Sequence, residues 1–338
     1  MRRLETPLFW FTHPPSNKPL PPLWKIIKLD GVLVNACDII QRKNVYEAAM
    51  SRGIHQLLEF NGLVLMDSGG FKFIKTNKIN ITPEILIQLY EKSRPDIGVV
   101  LDHPVTPHLS PRDVGKRVTQ TLRNTRRMAE LKRGEYELMP VIHGYDMRLR
   151  ERYIKKLQHI GVFNIYGVGG IVPLLLPTLG GGGSIYDVVR IIAHTRWLLP
   201  DKLIHAFGVG TPLVMHIVFY AGADSFDSIS WLKSAGYGYV FLPGSSQRSI
   251  KRIDKEERMV LEACECPACR KTGVEGLRRS YAARAIHNAY VCQKEVENMR
   301  RMVRENVYEE YVRQIIMKSR LARVLDYIDK LRSQKPLV

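Results

Sequence analysis

Three thiols within six residues, Cys264-Glu265-Cys266-Pro267-Ala268-Cys269, are the most specific chemical signal in the chain. Thiolates on so tight a loop suit the short bonds and tetrahedral preference of zinc, which requires a fourth ligand. His287, inside the helical pattern RAIHNAYV and separated from Cys269 by seventeen residues, is the best fourth donor. The alternative is a helix histidine satisfied by its neighbours. Three cysteines and a histidine leave no open coordination position, so the expected Zn2+ is structural and not catalytic. The chain has five cysteines, an odd number, and their clustering argues for a metal and against a disulfide framework. Cys37 and Cys292 stand apart and read as small buried hydrophobes.

A second set of residues is scattered: Asp67-Ser68-Gly69-Gly70, Asp102, His143-Gly144, Gly169-Gly170, Gly208-Val209-Gly210 and Asp227. Each stands just behind a short apolar, β-branched run: LVLM (63–66), IGVVL (97–101), LMPVI (138–142), FNIYGV, LIHAF and GADSF. Such runs read as buried strands. Helical patterns with start signals lie between them, at Thr82-Pro83-Glu84, Ser110-Pro111 and Thr211-Pro212. Six or more strand-loop-helix units predict an α/β chain, a (β/α)8 TIM barrel in preference to an open doubly wound sheet. In a barrel the carboxyl ends of the strands converge on one face, where active sites are built. Any one of these polar residues could be a turn residue or a helix cap. Their shared position behind strands points to an enzyme.

The expected organisation is a catalytic barrel over residues 1–254, completed by C-terminal helices, a zinc-binding subdomain over 255–295, and basic C-terminal helices over 296–338. The glycine run LGGGGS (179–184) reads as a flexible loop on the active face, either a lid or a tolerated surface insertion. No apolar run reaches the roughly 18 residues of a membrane span, and the N-terminus lacks the apolar region of a secretory signal. A cytoplasmic protein is the default.

Lys and Arg outnumber Asp and Glu by 51 to 33, a formal charge of +18, which favours a polyanionic partner and nucleic acid first. The basic residues near the metal loop, Arg248, Lys251, Arg252, Arg270, Lys271, Arg278 and Arg279, are the preferred backbone contacts. Those between Lys116 and Arg133 read as a solvated helix face.

Taken in order, MDSGGFKF (66–73), PDIGVVLDHPVTP, YGVGGIVPLL, FGVGTP, GADSFDS and the cysteine cluster closed by His287-Asn288 resemble the tRNA-guanine transglycosylase family over roughly residues 30–310. The resemblance implies a barrel with a zinc subdomain that cleaves an N-glycosidic bond through a covalent intermediate. By motif, Asp227 resembles the nucleophile that attacks the sugar C1′ and Asp67 the general acid/base. Glycosidic chemistry needs one ionised carboxylate at the anomeric carbon and one proton carrier at the base. Asp102 looks like the residue that accepts from the Watson-Crick edge of guanine, with Ser68, Gly169 and Gly170 completing recognition and Phe71 and Phe207 sandwiching the ring.

Two departures bear on the substrate. His143 stands where the family usually has glutamine, so its contact with the base differs. The chain also ends near 338 and has a short metal-loop spacing, which resembles relatives that insert 7-cyano-7-deazaguanine into DNA. The sequence therefore tilts slightly towards DNA, with tRNA as the alternative polymer, a 7-deazaguanine as the small-molecule partner, and a non-catalytic nucleic-acid-binding barrel as a third reading. A homodimer or a partner protein is a further expectation of the resemblance.

Overall fold

A computed structural model describes residues 4–13, 20–70, 81–175 and 183–333. Its main sheet is built from β1 (Leu8–Thr12), β2 (Gly31–Asn35), β3 (Leu63–Asp67), β4 (Ile97–Val99), β5 (Glu137–Met139), β6 (Val141–Ile142), β7 (Ile165–Val168), β8 (Leu203–Ala206) and β9 (Ser225–Ser228). The spatial order is β5-β4-β3-β2-β1-β9-β8-β7-β6, and every pairing is parallel. β5 and β6 flank Pro140, which has no N–H to give to a ladder. They are two halves of one stave, β5 paired with β4 and β6 with β7. The sheet thus closes as eight staves, the (β/α)8 barrel expected.

Alternate side chains of each strand point inwards. Leu8, Trp10, Leu33, Leu63, Leu65, Ile97, Val99, Met139, Val141 and Ile165 fill the barrel. Their neighbours, among them Phe9, Phe11, Val32, Val64 and Met66, pack outwards against the helices. Carrying the inward register to the carboxyl ends brings Thr12, Asn35, Asp67, His143, Gly169, Phe207 and Asp227 to a single mouth. The apolar floor is therefore what aims the polar residues.

The helix starts follow the sequence signals. Thr82 and Ser110 cap helices Pro83–Ser93 and Pro111–Leu131, accepting from the backbone N–H of Ile85 and Asp113, with proline in each first turn. Pro212–Tyr220 begins behind Thr211 without a side-chain cap bond. Two strands absent from the sequence reading, β1 and β2, complete the ring between β9 and β3. β9 also begins three residues later than GADSF suggests: Gly222, at φ +115°, turns the chain out of the preceding helix, so Asp227 lies inside the strand.

Beyond the barrel, the hairpin β10 (Tyr239–Phe241) and β11 (Gln247–Ser249) and the helices Lys255–Glu262 and Pro267–Arg279 enclose a separate apolar cluster that includes Val240, Leu261, Cys266, Val274 and Leu277. Helix Tyr281–Arg304 runs past residue 295 and ties this cluster to the barrel. Its buried Arg300 donates to Pro7 O at 2.8 Å and to Asp30 Oδ2 at 2.7 Å, closing the amino-terminal end of the barrel. Burial alone would raise the Asp30 carboxyl, but bonds from Gln293 and Arg300 hold it below its ordinary value. Among the described residues, no helix is long and apolar enough to cross a membrane.

Candidate active site and metal centre

The carboxyl ends of the strands surround a cavity of about 660 Å³. Asp67, Asp102, His143, Gly169, Gly170, Phe207 and Asp227 all line it, so residues drawn from six separate stretches of sequence meet at one place. Ser68 does not reach the wall. It is fully buried, and its Oγ donates to Asp102 Oδ1 at 3.2 Å. Phe71 and the 179–182 part of the glycine run lie outside the described residues.

Asp102 is held at both oxygens, by Ser68 and by His143, whose Nε2 stands 2.8 Å from Oδ2. The other imidazole nitrogen, Nδ1 of His143, is buried without a hydrogen-bond partner among the described residues. It faces Gly169, where an added Cβ would stand 2.5 Å from His143 Cε1 and 2.8 Å from Val141 Cγ1. Only glycine lets strand and imidazole approach so closely. Gly170 follows with φ +75°, a left-handed conformation, and Tyr145 fixes the turn, its hydroxyl sharing one proton between Val105 O (2.9 Å) and Gly170 O (2.8 Å). One wall of the cavity is thus a backbone ledge braced by a tyrosine.

The two other carboxyls differ in their surroundings. Asn35 Nδ2 donates to Asp67 Oδ2 at 3.1 Å. Burial, then the charges of Asp102 and Asp227, push the Asp67 carboxyl up to about 8, against backbone bonds from Gly69 and Ser68 that act the other way. Asp67 therefore carries a proton at neutral pH. Asp227 Oδ1 accepts from the backbone N–H of Gly208 at 2.8 Å, whereas Oδ2 has, among the described residues, only a long bond from Thr12 Oγ1 at 3.4 Å. It caps no helix, since the next one, Ser230–Gly236, starts behind Ile229. A proton-bearing carboxyl beside a carboxyl held by a backbone N–H is a division of labour suited to an acid and a nucleophile.

Thr12 and Asn35 also line this mouth, with His205 buried beside Asp227, and sequence reasoning passes over them. His205 is reachable from the sequence by parity, being two residues before Phe207 on the same face of β8. Thr12 and Asn35 are invisible without β1 and β2.

The metal donors converge as expected. The ligand atoms of Cys264, Cys266, Cys269 and His287 all lie within 4.8 Å of one another. His287 Nδ1 is 3.5, 3.7 and 3.4 Å from the three sulfurs in that order. Zinc bonds of about 2.3 Å to sulfur and 2.1 Å to nitrogen, at tetrahedral angles, place S and N about 3.6 Å apart. His287 Nε2 stands 2.9 Å from Phe241 O, which fixes its proton there and leaves the Nδ1 lone pair for a metal. Cys266 caps helix Pro267–Arg279 and accepts from Cys269 N at 3.2 Å. The donor set fits a closed structural zinc site. Cys37 and Cys292 are buried elsewhere.

All seven basic residues beside this centre, Arg248, Lys251, Arg252, Arg270, Lys271, Arg278 and Arg279, are exposed. Arg248 bonds Glu257 and Ser246, while Arg270 and Arg278 pair with Glu265 and Glu275 at 3.4 and 3.0 Å. In the helix Pro111–Leu131, residues such as Val118, Thr121 and Met128 face inwards, and Arg123, Arg126 and Arg127 lie exposed.

Comparison with known proteins agrees with this geometry. The chain is 29% identical over 310 residues to the tRNA-guanine(15) transglycosylase of Methanopyrus kandleri, a match that covers 89% of this chain and 64% of the relative. It is 28% identical over 313 residues to the protein of that name from Pyrococcus furiosus, covering 90% and 51%, and 27% identical over 350 residues to that from Methanocaldococcus jannaschii, covering 97% and 52%. The chain spans between about half and just under two-thirds of the length of these curated relatives. The family model for queuine tRNA-ribosyltransferase matches residues 2–320. Because that match takes in all eight staves, the carboxyls at their ends and the four metal donors, this chain belongs to the queuine tRNA-ribosyltransferase family.

Proposed function

We propose that this protein is a pentosyltransferase that exchanges a guanine in tRNA for a 7-deazaguanine. The observation that carries the reading is the pairing of a protonated Asp67 with an Asp227 whose Oδ2 is only weakly engaged, both on the wall of one cavity. In the first half-reaction Asp227 Oδ2 bonds to the ribose C1′ while the C1′–N9 bond breaks, and Asp67 gives its proton to the departing base. In the second, the incoming base returns a proton to Asp67 and displaces the ester, restoring the Asp227 carboxylate. Asp102, steadied by Ser68, and His143 meet the polar edge of the base, the Gly169–Gly170 ledge meets it through backbone groups, and Phe207 covers one face. Phe71 is the proposed second cover. The zinc held by Cys264, Cys266, Cys269 and His287 maintains the fold beside the exposed cations, which follow the phosphates.

The names of the relatives support tRNA over the DNA towards which the sequence tilts. The short C-terminus, on which that tilt rested together with the metal-loop spacing, carries no weight, since the chain spans only part of its relatives. A cytoplasmic location and a homodimer or partner protein go with this reading. Its test is the incorporation of radiolabelled guanine, or of 7-cyano-7-deazaguanine, into unmodified tRNA and into duplex DNA in parallel. Label in tRNA alone is expected. Label in DNA alone would reinstate DNA, and binding without label in either would leave a non-catalytic barrel.

A further inference from the structure

His205 is fully buried inside the barrel, and the mechanism above does not use it. It is the register partner of Ser225 across β8 and β9, and its Nδ1 lies 2.9 Å from Ser225 Oγ. Its Nε2 lies 3.3 Å from Asp227 Oδ1 and, among the described residues, has no hydrogen-bond partner of regular geometry. Its ring meets Phe207 edge-on, with centroids 4.4 Å apart and planes at 86°.

From this geometry we propose that His205 is a positioning residue for the nucleophile: it selects the oxygen of Asp227 that attacks and supports the charge on the other. The inference rests on the reading of Asp227 as nucleophile. The tautomer follows from the surroundings. A neutral imidazole has one N–H; placed on Nδ1, it would leave the Nε2 lone pair facing a carboxylate oxygen. The Ser225 hydroxyl can donate to Nδ1, so the proton belongs on Nε2, the nitrogen nearer Oδ1. Oδ1 then accepts from Gly208 N–H and has the His205 Nε2–H within 3.3 Å, outside regular hydrogen-bond geometry, and Oδ2 is left to bond C1′. In the ester, Oδ1 becomes the carbonyl oxygen. When the second base displaces the ester, negative charge returns to the carboxylate, and preorganised donors at Oδ1 favour that departure. The contact with Phe207 also links the nucleophile to the wall that covers the base.

The test compares His205→Phe, which keeps the ring volume without the donor, with His205→Gln, whose amide N–H can reach the same oxygen. The readouts are the single-turnover rate at which saturating free base releases the preformed covalent adduct, the KM for the incoming base and the melting temperature. A hydrogen bond to a charged group corresponds to roughly a 10- to 150-fold rate effect. His205→Phe should slow release of the adduct by the incoming base, and turnover with it, by that factor, with KM changed less than about twofold, and His205→Gln should recover most of the loss. If the Phe variant does not fold, His205→Leu takes its place with the same expectation. A release rate within twofold of wild type in the donor-less variant, or a Gln variant as slow as it, overturns the proposal. If instead wild type forms no adduct and Asp227→Ala exchanges guanine normally, the nucleophile assignment falls and takes this inference with it.

Discussion

The proton on Asp67 can be read in two independent ways. Its carboxyl is raised from 3.8 to about 8, chiefly by burial and then by Asp102 and Asp227. At pH 7 the protonated form outnumbers the ionised one by about ten to one, and at pH 9 the ratio is reversed. If Asp67 supplies the proton to the leaving guanine, single-turnover guanine release is flat to about pH 7 and falls roughly tenfold between pH 7 and 9. Asp67→Asn has no proton to give and loses the step together with its pH dependence. The second readout needs no substrate. A carboxyl whose folded pKa lies above its unfolded one favours the fold fully below about pH 3.8, and that contribution is lost as pH rises through about 8. Asp67→Asn removes the burden, so it should stabilise the protein relative to wild type, little at pH 4 and by a few kcal/mol at pH 9, from 1.36 kcal/mol per pKa unit. Denaturant melts of both proteins at pH 4, 7 and 9 measure this directly. A stability difference that stays constant with pH, together with guanine release that stays flat to pH 9, would refute the argument.

Other perturbations follow from single contacts. Gly169→Ala drives a methyl group towards His143 Cε1 and Val141 Cγ1; with the ledge displaced, the KM for the base should rise by roughly 10- to 100-fold while the melting temperature changes little. Purified protein should contain one zinc per chain by elemental analysis. Cys266→Ser should lower zinc content and melting temperature far more than Cys292→Ser, although both cysteines are buried. Arg300→Met leaves Asp30 without its cation and Pro7 O without its donor, and chemical denaturation should show a loss of about 2–4 kcal/mol at pH 7. Because Asp30 is held below 3.8, that loss should shrink as the pH falls through its lowered pKa.

What could be read before folding was whatever depends on local pattern. Thr82-Pro83 and Ser110-Pro111 start helices because a cap and a fixed φ act within one turn. The cysteine spacing specifies a metal because three donors on one short loop need little help from the rest of the chain. The polar residues behind the strands could be gathered into one site because a barrel brings all carboxyl ends to one face. β1 and β2 escape a reading of the sequence although LFWFT and GVLVN are as long as β3 and Asn35 caps the helix Ala36–Ile40 behind the second. Partnerships within the site were hidden for a different reason. That Ser68 serves Asp102 and not the cavity, that Tyr145 braces Gly170, and that Asn35 and His205 stand beside Asp67 and Asp227 depend on strand register, which no local window contains. The departure at His143 was visible as a residue, and only the fold shows it bonded to Asp102.

The central claim, that Asp227 bonds to the ribose C1′, is tested most directly by peptide mapping of the protein denatured during turnover on tRNA with the incoming base withheld. The account predicts a nucleotide adduct on the peptide that contains Asp227, absent from Asp227→Ala and released by adding the free base. An adduct on another residue, or guanine exchange at wild-type rate in Asp227→Ala, would contradict it.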